Sequence, residues 1–388
     1  MGIQLIGAGT RTSAFTSVPL TLHSGQTYQI PAGQYLVNLG PYTVVQSYDS
    51  VTQTWKPMQT PTNSDSVIVS SDGFNYRVQN ITGTAVGAYV TNGGSGYTNG
   101  IYPASTTTSA QTNYVIATVS AAGAQSSLVG TIAKYNVIVG GAISTTVTVT
   151  TGGSGYTRPV SLLFSDPPAG GVRASGYVSV LTSGAITTVV VTNQGAGYTT
   201  APTITVVPHP LDTTATGAVL TATIDTTNFS GRITALTLAE GGSAYAAVPT
   251  ISFSTSAGSS GAATVVACLS ATAISSVSGG SANLTDNTAA FTIQSQVLAT
   301  SKTNAPVNPA IEGGLFTPRP GYGTITTSSG VASAMTIVDG GLHELVGSTT
   351  TLTRIVPAFQ WTTAAPTSTP TGTLALGGNI DTILLTPL

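Results

Sequence analysis

A seven-residue motif occurs four times in the middle of the chain and limits the fold more than any other feature of the sequence. Its copies span residues 92–98 (NGGSGYT), 151–157 (TGGSGYT), 193–199 (NQGAGYT) and, in weakened form, 240–246 (EGGSAYA). The tyrosines are 59, 42 and 47 residues apart. This spacing indicates a duplicated structural unit.

The sequence around the motif is repeated as well. A strand-like run that begins with glycine precedes it, as in residues 184–191 (GAITTVVV) and 231–238 (GRITALTL). Proline and a second run follow, as in residues 202–206 (PTITV) and 249–253 (PTISF). Because valine, isoleucine and threonine fit a pleated surface, we predict three- or four-stranded antiparallel units of about 45 residues.

The glycines and the tyrosine of the motif are predicted to build a structural corner. Glycine permits positive φ where the chain reverses, and the tyrosine ring can lie over the turn while its hydroxyl bonds a backbone group. The predicted corner residues are Gly94, Gly96, Tyr97, Gly153, Gly155, Tyr156, Gly195, Gly197, Tyr198, Gly242 and Tyr245. The alternative is a platform of tyrosines that stack on sugars. A dinucleotide-binding loop is excluded, because residues 195–200 (GAGYTT) lack its third glycine.

Glycine and proline interrupt nearly every apolar run. They number 45 and 21 among 388 residues, which leaves little room for helices. The sequence therefore predicts an all-β protein of several small antiparallel β-sandwich or β-barrel-like domains, including a tandem array of repeats. We predict an N-terminal β domain (residues 1–85), the repeat region (86–270) and a C-terminal β domain with a proline-rich loop (271–388). The chain should end in a strand able to pair with a neighbouring sheet or subunit.

Charged residues are scarce, and this excludes whole classes of function. The chain has 10 Lys plus Arg and 12 Asp plus Glu. Ten scattered basic residues cannot form a nucleic-acid footprint, and no apolar run reaches the length of a membrane span. Residues 1–10 lack the regions of a secretory signal, so we expect synthesis in a cytoplasm without export.

Catalytic groups are equally scarce, and no enzyme activity or cofactor is predicted. Asp339, His343 and Glu344 are the nearest approach to a metal site, with a solvated turn or a subunit contact as the alternatives. The motif fails as a nucleophile elbow, because Tyr97 stands where Gly-x-Ser-x-Gly needs its last glycine. The single cysteine, Cys268, is predicted to be a small core residue rather than a reactive thiol.

The repeat GGSGYT followed by proline and a strand, together with residues 30–35 (IPAGQY) and 338–344 (VDGGLHE), resembles virion structural proteins of tailed bacteriophages. That group includes capsid decoration proteins and tail or head fibres. The resemblance implies synthesis in the host cytoplasm, a final place on the outer surface of the virion, and no active site.

Three hypotheses follow from this resemblance. The first is a capsid decoration or cement protein that binds the major capsid protein, or another virion protein, through the N-terminal domain or the C-terminal strand. The second is a fibre or adhesin whose tyrosines bind host surface glycans, and the third is a glycan-degrading virion enzyme. A homotrimer or a lattice multimer is expected, with neither nucleic acid nor membrane as partner.

Overall fold

The computed structural model describes residues 17–50, 54–58, 66–104, 115–120, 130–255, 258–278, 288–293, 318–328, 331–346, 355–357, 371–379 and 381–388. Within these ranges the chain forms 27 strands and one short helix, α1 (Thr226–Phe229), and the strand pairs described below are antiparallel. This confirms the all-β prediction. No helix in the described ranges is long and apolar enough to cross a membrane.

Two four-stranded sheets form the N-terminal part of the molecule. Its strands are β1 (Val18–Leu22), β2 (Thr27–Gln29), β3 (Gly33–Asn38), β4 (Thr43–Asp49), β5 (Thr54–Pro57), β6 (Ser66–Ser71) and β7 (Tyr76–Asn80). One sheet has the order β2-β7-β4-β5, and β1, β3 and β6 belong to the other. Val37 of one sheet and Val45 of the other are fully buried in a shared core, so the two sheets form a sandwich.

The repeat region supplies the next strands. They are β8 (Thr84–Ser95), β9 (Gly100–Tyr102), β10 (Val115–Val119), β11 (Lys134–Val139), β12 (Thr148–Ser154), β13 (Ser161–Phe164), β14 (Ser175–Thr182), β15 (Ala185–Asn193), β16 (Ile204–Val207), β17 (Thr216–Thr221), β18 (Ile233–Glu240), β19 (Ile251–Thr255) and β20 (Ser259–Ser278). The four motif copies, called corners 1 to 4 in chain order, lie at the ends of β8, β12, β15 and β18. Each of these strands is the first of a unit with three principal strands: β8, β10 and β11 in unit 1; β12 to β14 in unit 2; β15 to β17 in unit 3; β18 to β20 in unit 4.

The units pair in a nested order. In units 2 and 3 the first strand of each unit pairs with the third strand of the other, as β12 with β17 and β15 with β14, while the second strands β13 and β16 pair together. Units 1 and 4 repeat this plan, with β8 on β20, β18 on β11, and β10 on β19. We call units 2 and 3 the inner lobe (residues 142–224) and units 1 and 4 the outer lobe.

Each lobe has its own core. Ile143, Phe164 and Ile186 lie in the inner one, and Tyr135, Ile233 and Leu269 in the outer one. The two lobes meet at a small apolar cluster that includes Ile138 and Ala196. The inner lobe is therefore an insertion between β11 and β18 of the outer lobe.

The last part of the chain is built onto β20 and the N-terminal sandwich. Its strands are β21 (Thr288–Ile293), β22 (Gly321–Ser328), β23 (Val331–Asp339), β24 (His343–Val346), β25 (Ile355–Pro357), β26 (Thr371–Gly377) and β27 (Asp381–Pro387). Strands β24 and β26 pair with β20, and β21, β22, β23 and β25 form a further sheet. The final strand, β27, lies between β1 and β3 in the N-terminal sandwich.

The predicted terminal strand is thus present and pairs with a neighbouring sheet of the same chain. The domain limits after residues 85 and 270 stay a prediction, although the pairing of β27 joins the two ends of the chain in one sheet. Most of the predicted proline-rich loop (residues 304–320) lies outside the described residues.

Candidate functional site

The four corners have one backbone geometry, which is set by the middle glycine of the motif. These glycines have positive φ: Gly94 (+63°), Gly153 (+68°), Gly195 (+65°) and Gly242 (+66°). A β-carbon on Gly153 would lie 2.4 Å from the carbonyl oxygen of Thr216 and 2.6 Å from the nitrogen of Ala218. On Gly195 it would meet the same two groups of Val172 and Ala174, at 2.7 and 2.8 Å. Glycine is therefore required both for φ and for the close approach of a neighbouring strand.

The tyrosine of each corner is buried. Tyr97, Tyr156, Tyr198 and Tyr245 are between 3% and 5% exposed. The hydroxyl of Tyr198 accepts the N–H of Ala174 at 2.9 Å and donates to the carbonyl of Ser165 at 2.9 Å. Burial raises the pKa of Tyr198 and of Tyr245, so both hydroxyls stay protonated.

The tyrosine backbone ties the two units of each lobe together. The N–H of Tyr156 donates to Gly184 at the start of unit 3, and that of Tyr198 donates to Gly141 at the start of unit 2. In the outer lobe, the N–H of Tyr97 donates to Gly231, and that of Tyr245 to Gly83, at 3.1 and 2.9 Å. Each corner therefore closes on the leading glycine of its partner unit, which gives each lobe an approximate two-fold relation.

The glycine before the tyrosine also has positive φ, at +79° in Gly96 and +81° in Gly155 and Gly197. In the fourth copy Ala244 takes the same conformation, with φ of +59°. This conformation is unfavourable for alanine, so the surrounding lobe must hold it in place.

All eleven predicted corner residues lie at the four corners. The four tyrosines among them are buried, which weighs against the tyrosine platform of the glycan alternative. Sequence reasoning missed the leading glycines Gly83 and Gly141, whose flanking residues vary between units. Their signal was a glycine 14 or 15 residues before each motif tyrosine.

Corner 2 carries a carboxylate. Asp212, on the loop between β16 and β17, accepts the N–H groups of Thr157 and Arg158 at 3.0 and 2.9 Å. It also accepts the Thr157 hydroxyl at 2.5 Å and pairs with the Arg158 guanidinium at 2.7 Å. These donors, the Thr157 hydroxyl first, hold the pKa of Asp212 well below its usual range.

Corner 3 opens instead into a cleft between the lobes, with a volume of about 550 Å³. Ile101 and Val139 of the outer lobe line it on one side, and Pro168 and Thr199 of the inner lobe on the other. The lining is apolar with a few hydroxyl and amide groups and carries no Asp, Glu, Lys or Arg side chain.

The predicted metal-site candidates lie where the N-terminal sandwich meets β23 and β24. Asp339 pairs with Arg319 at 2.5 Å and accepts the Tyr42 hydroxyl at 3.1 Å. Burial alone would raise the pKa of Asp339, but the bonds from Arg319 and Gly341 lower it overall. Asp381 of β27 accepts the N–H of Tyr42 at 2.7 Å. Through these contacts Tyr42 connects the N-terminal sandwich to β23 and β27.

His343 and Glu344 are buried beside this junction, so the interpretation as a solvated turn is wrong. His343 bonds the Gly340 carbonyl at 2.8 Å, and burial lowers its pKa to about 4. Glu344 lies opposite Cys268 in the β20–β24 ladder, and burial raises the pKa of both. Cys268 is fully buried, which confirms its prediction as a core residue.

No group of three or more His, Cys, Asp or Glu side chains in the described ranges is arranged to hold a metal ion. Asp339 points to Arg319, while His343 bonds a backbone carbonyl. Asp339 is held by Arg319 and Tyr42, while His343 and Glu344 are buried on β24.

An exposed aromatic group lies at one end of the N-terminal sandwich. Phe74, in the turn before β7, is 82% exposed, and Tyr48 is 44% exposed. The N–H of Tyr48 donates to Asn75, and its ring lies 5.4 Å from that of Trp55. The Arg77 guanidinium lies over the Trp55 ring, 4.3 Å from the ring centre. We call Tyr48, Trp55 and Phe74 the aromatic tip.

Comparisons with family models, curated proteins and solved structures find no match for this chain.

Proposed function

We propose that this chain is a non-enzymatic structural protein of a tailed-bacteriophage virion that decorates the outer capsid and stabilises it. The repeat lobes serve as rigid polar modules in this proposal, and the N-terminal sandwich, closed by β27, is the anchor. The partner is the major capsid protein, and copies assemble as trimers or on the capsid lattice.

The exposed aromatic tip is the observation that carries the proposal. Exposed aromatic side chains beside an arginine are typical of the centre of a protein interface. Strand pairing already holds Tyr48 and Trp55 in place. Binding a partner would therefore cost little conformational entropy. The corner tyrosines, by contrast, are buried and are not accessible to a partner.

The burial of those tyrosines weighs against the fibre or adhesin alternative, because a buried ring offers no face to a sugar. Three of the carboxylates also weigh against glycan cleavage: Asp212 and Asp339 accept hydrogen bonds from their neighbours, and Glu344 is buried opposite Cys268.

Addition of the purified protein to particles that lack it, followed by electron microscopy, tests the proposal. We expect regular density over the capsid lattice, which Phe74→Ser combined with Tyr48→Ser should abolish. Leu211→Ser is the matched control, because Leu211 is also highly exposed but lies in the inner lobe. Density at a unique vertex or at the tail alone would contradict capsid decoration and favour a fibre.

A further inference from the structure

The two corners of the inner lobe are related by its approximate two-fold, yet they differ in one contact. At corner 2, four groups of Thr157 and Arg158 surround the Asp212 carboxylate. The corresponding residues at corner 3 are Thr199 and Thr200. They keep the two backbone N–H groups and the first hydroxyl, and they lack only the guanidinium.

The residue that corresponds to Asp212 at corner 3 can be located from the neighbouring strands. The corner glycine faces Thr216 and Ala218 in one case and Val172 and Ala174 in the other, a shift of 44 positions. The same shift takes Asp212 to Pro168. The turns agree as well, since the Asp212 carbonyl accepts an N–H three residues on at 3.0 Å and the Pro168 carbonyl does so at 2.9 Å.

Pro168 has no carboxylate, so corner 3 retains donors without its acceptor. Among the described residues, no acceptor is found for the backbone N–H groups of Thr199 and Thr200. The cleft opens at this point, with Pro168 and Thr199 both in its wall. Two adjacent N–H groups and a hydroxyl are a set of donors suited to a carboxylate.

We propose that the interlobe cleft binds the carboxylate of an Asp or Glu side chain on an extended segment of a partner protein. The internal counterpart supports this class of ligand, because Asp212 reaches corner 2 from a peptide loop with Leu211 beside it. Ile101, Val139 and Ala169 in the cleft wall would pack against apolar neighbours of the acidic residue. The inference rests on corner 3 and on the cleft between the two lobes, and it does not depend on the proposed function.

The test uses the full chain and a peptide with blocked ends that copies residues 207–213 (VPHPLDT). In amide-resolved NMR spectra of the ¹⁵N-labelled protein, we expect the N–H signals of Thr199 and Thr200 to move downfield during titration. The same peptide with asparagine in place of aspartate should bind at least fivefold more weakly, since it loses the charge of the acceptor. Equal shifts with both peptides, or shifts confined to other residues, would overturn the proposal.

Three variants sharpen the result. Thr200→Arg restores the missing guanidinium and should tighten binding about tenfold. Thr199→Val removes one donor and should weaken binding about fivefold. Pro168→Asp supplies an internal carboxylate and should abolish binding; unchanged affinity in this folded variant would contradict the site. Sodium glucuronate is the comparison for an acidic sugar, and tighter binding of glucuronate than of the peptide would overturn the assignment to a protein segment.

Discussion

The inner and outer lobes are built on the same two-unit plan, but they are connected to the rest of the molecule differently. The described strands of the inner lobe pair with one another, and its ends meet where the Ala142 carbonyl accepts the N–H of Asp225. The outer lobe closes in the same way, at Gly83 and Cys268, but β20 then continues to Ser278 and pairs with β26. One unit pair is self-contained, and the other organises the rest of the chain around a single long strand.

The comparison shows why a lobe of this kind can be inserted into another. Because the first strand of one unit pairs with the third strand of the other, the start and the end of each lobe lie side by side. A closed lobe can therefore replace a turn without moving the strands on either side.

Loss of a corner glycine should have the largest effect. Gly153→Ala introduces a β-carbon against Thr216 and Ala218 and also strains φ, so we expect destabilisation by about 3–5 kcal/mol. Gly217→Ala is the control, because Gly217 has a similar φ of +79° but the atom nearest to the added β-carbon would be 3.8 Å away. We expect destabilisation by about 1 kcal/mol for this variant. Urea denaturation measures both. Equal losses would mean that φ alone, not the close approach, requires glycine.

Acid should weaken the packing of β24 against β20 through His343. Its pKa falls from 6.5 to about 4 on folding because of burial, so between these values the unfolded chain binds a proton that the folded chain does not. Stability contributed by neutral His343 is complete above pH 6.5 and decreases as the pH falls, by about 3 kcal/mol at pH 4. His343→Gln keeps a donor for Gly340 and should remove this part of the pH dependence, with the variant at pH 7 as the baseline. An unaltered slope of stability against pH would contradict the assignment.

Tyr198→Phe should cost about 2 kcal/mol, because it leaves the buried Ala174 N–H without its acceptor and also removes a bond to Ser165. Tyr245→Phe removes the hydroxyl that accepts the Ala133 N–H, and we expect destabilisation by about 1 kcal/mol. Chemical denaturation of the two variants compares a corner of each lobe. A larger loss at Tyr245 would reverse the predicted order.

Ala244→Gly should stabilise the outer lobe by about 1 kcal/mol, because glycine adopts the observed φ of +59° without strain. Gly96→Ala makes the reverse change at corner 1, where the nearest atom to the new β-carbon would be 3.4 Å away, and should cost about 1 kcal/mol. Thermal unfolding of each variant gives the sign of the change in stability. A destabilised Ala244→Gly protein would show that the alanine methyl group packs favourably.

The sequence predicted the fold class and the four corners because both depend on local chemistry. Glycine at residues 153 and 155 permits the reversal, and the β-branched runs on either side favour strands. The β-branched and aromatic residues at 35–39, 42–48 and 66–69 favour strands in the same way, and β3, β4 and β6 cover these positions within one or two residues.

The nested pairing was not predictable, because all four units present equivalent edges and similarity between them does not say which two combine. The position of β27 was not predictable either, because its partners are far away in sequence: Leu385 pairs with Val18 and Val37. Burial of His343 and Glu344 depends on packing between β20 and β24, which the local sequence VDGGLHE does not reveal.

The nested pairing of units is tested most directly by comparing two fragments. Residues 141–225 contain units 2 and 3 with both corners, whereas residues 184–255 contain most of units 3 and 4, which are neighbours in sequence but not partners in space. We predict that the first fragment unfolds cooperatively in urea and buries Tyr156 and Tyr198, and that the second does not fold. A folded second fragment together with an unfolded first one would contradict the nested arrangement.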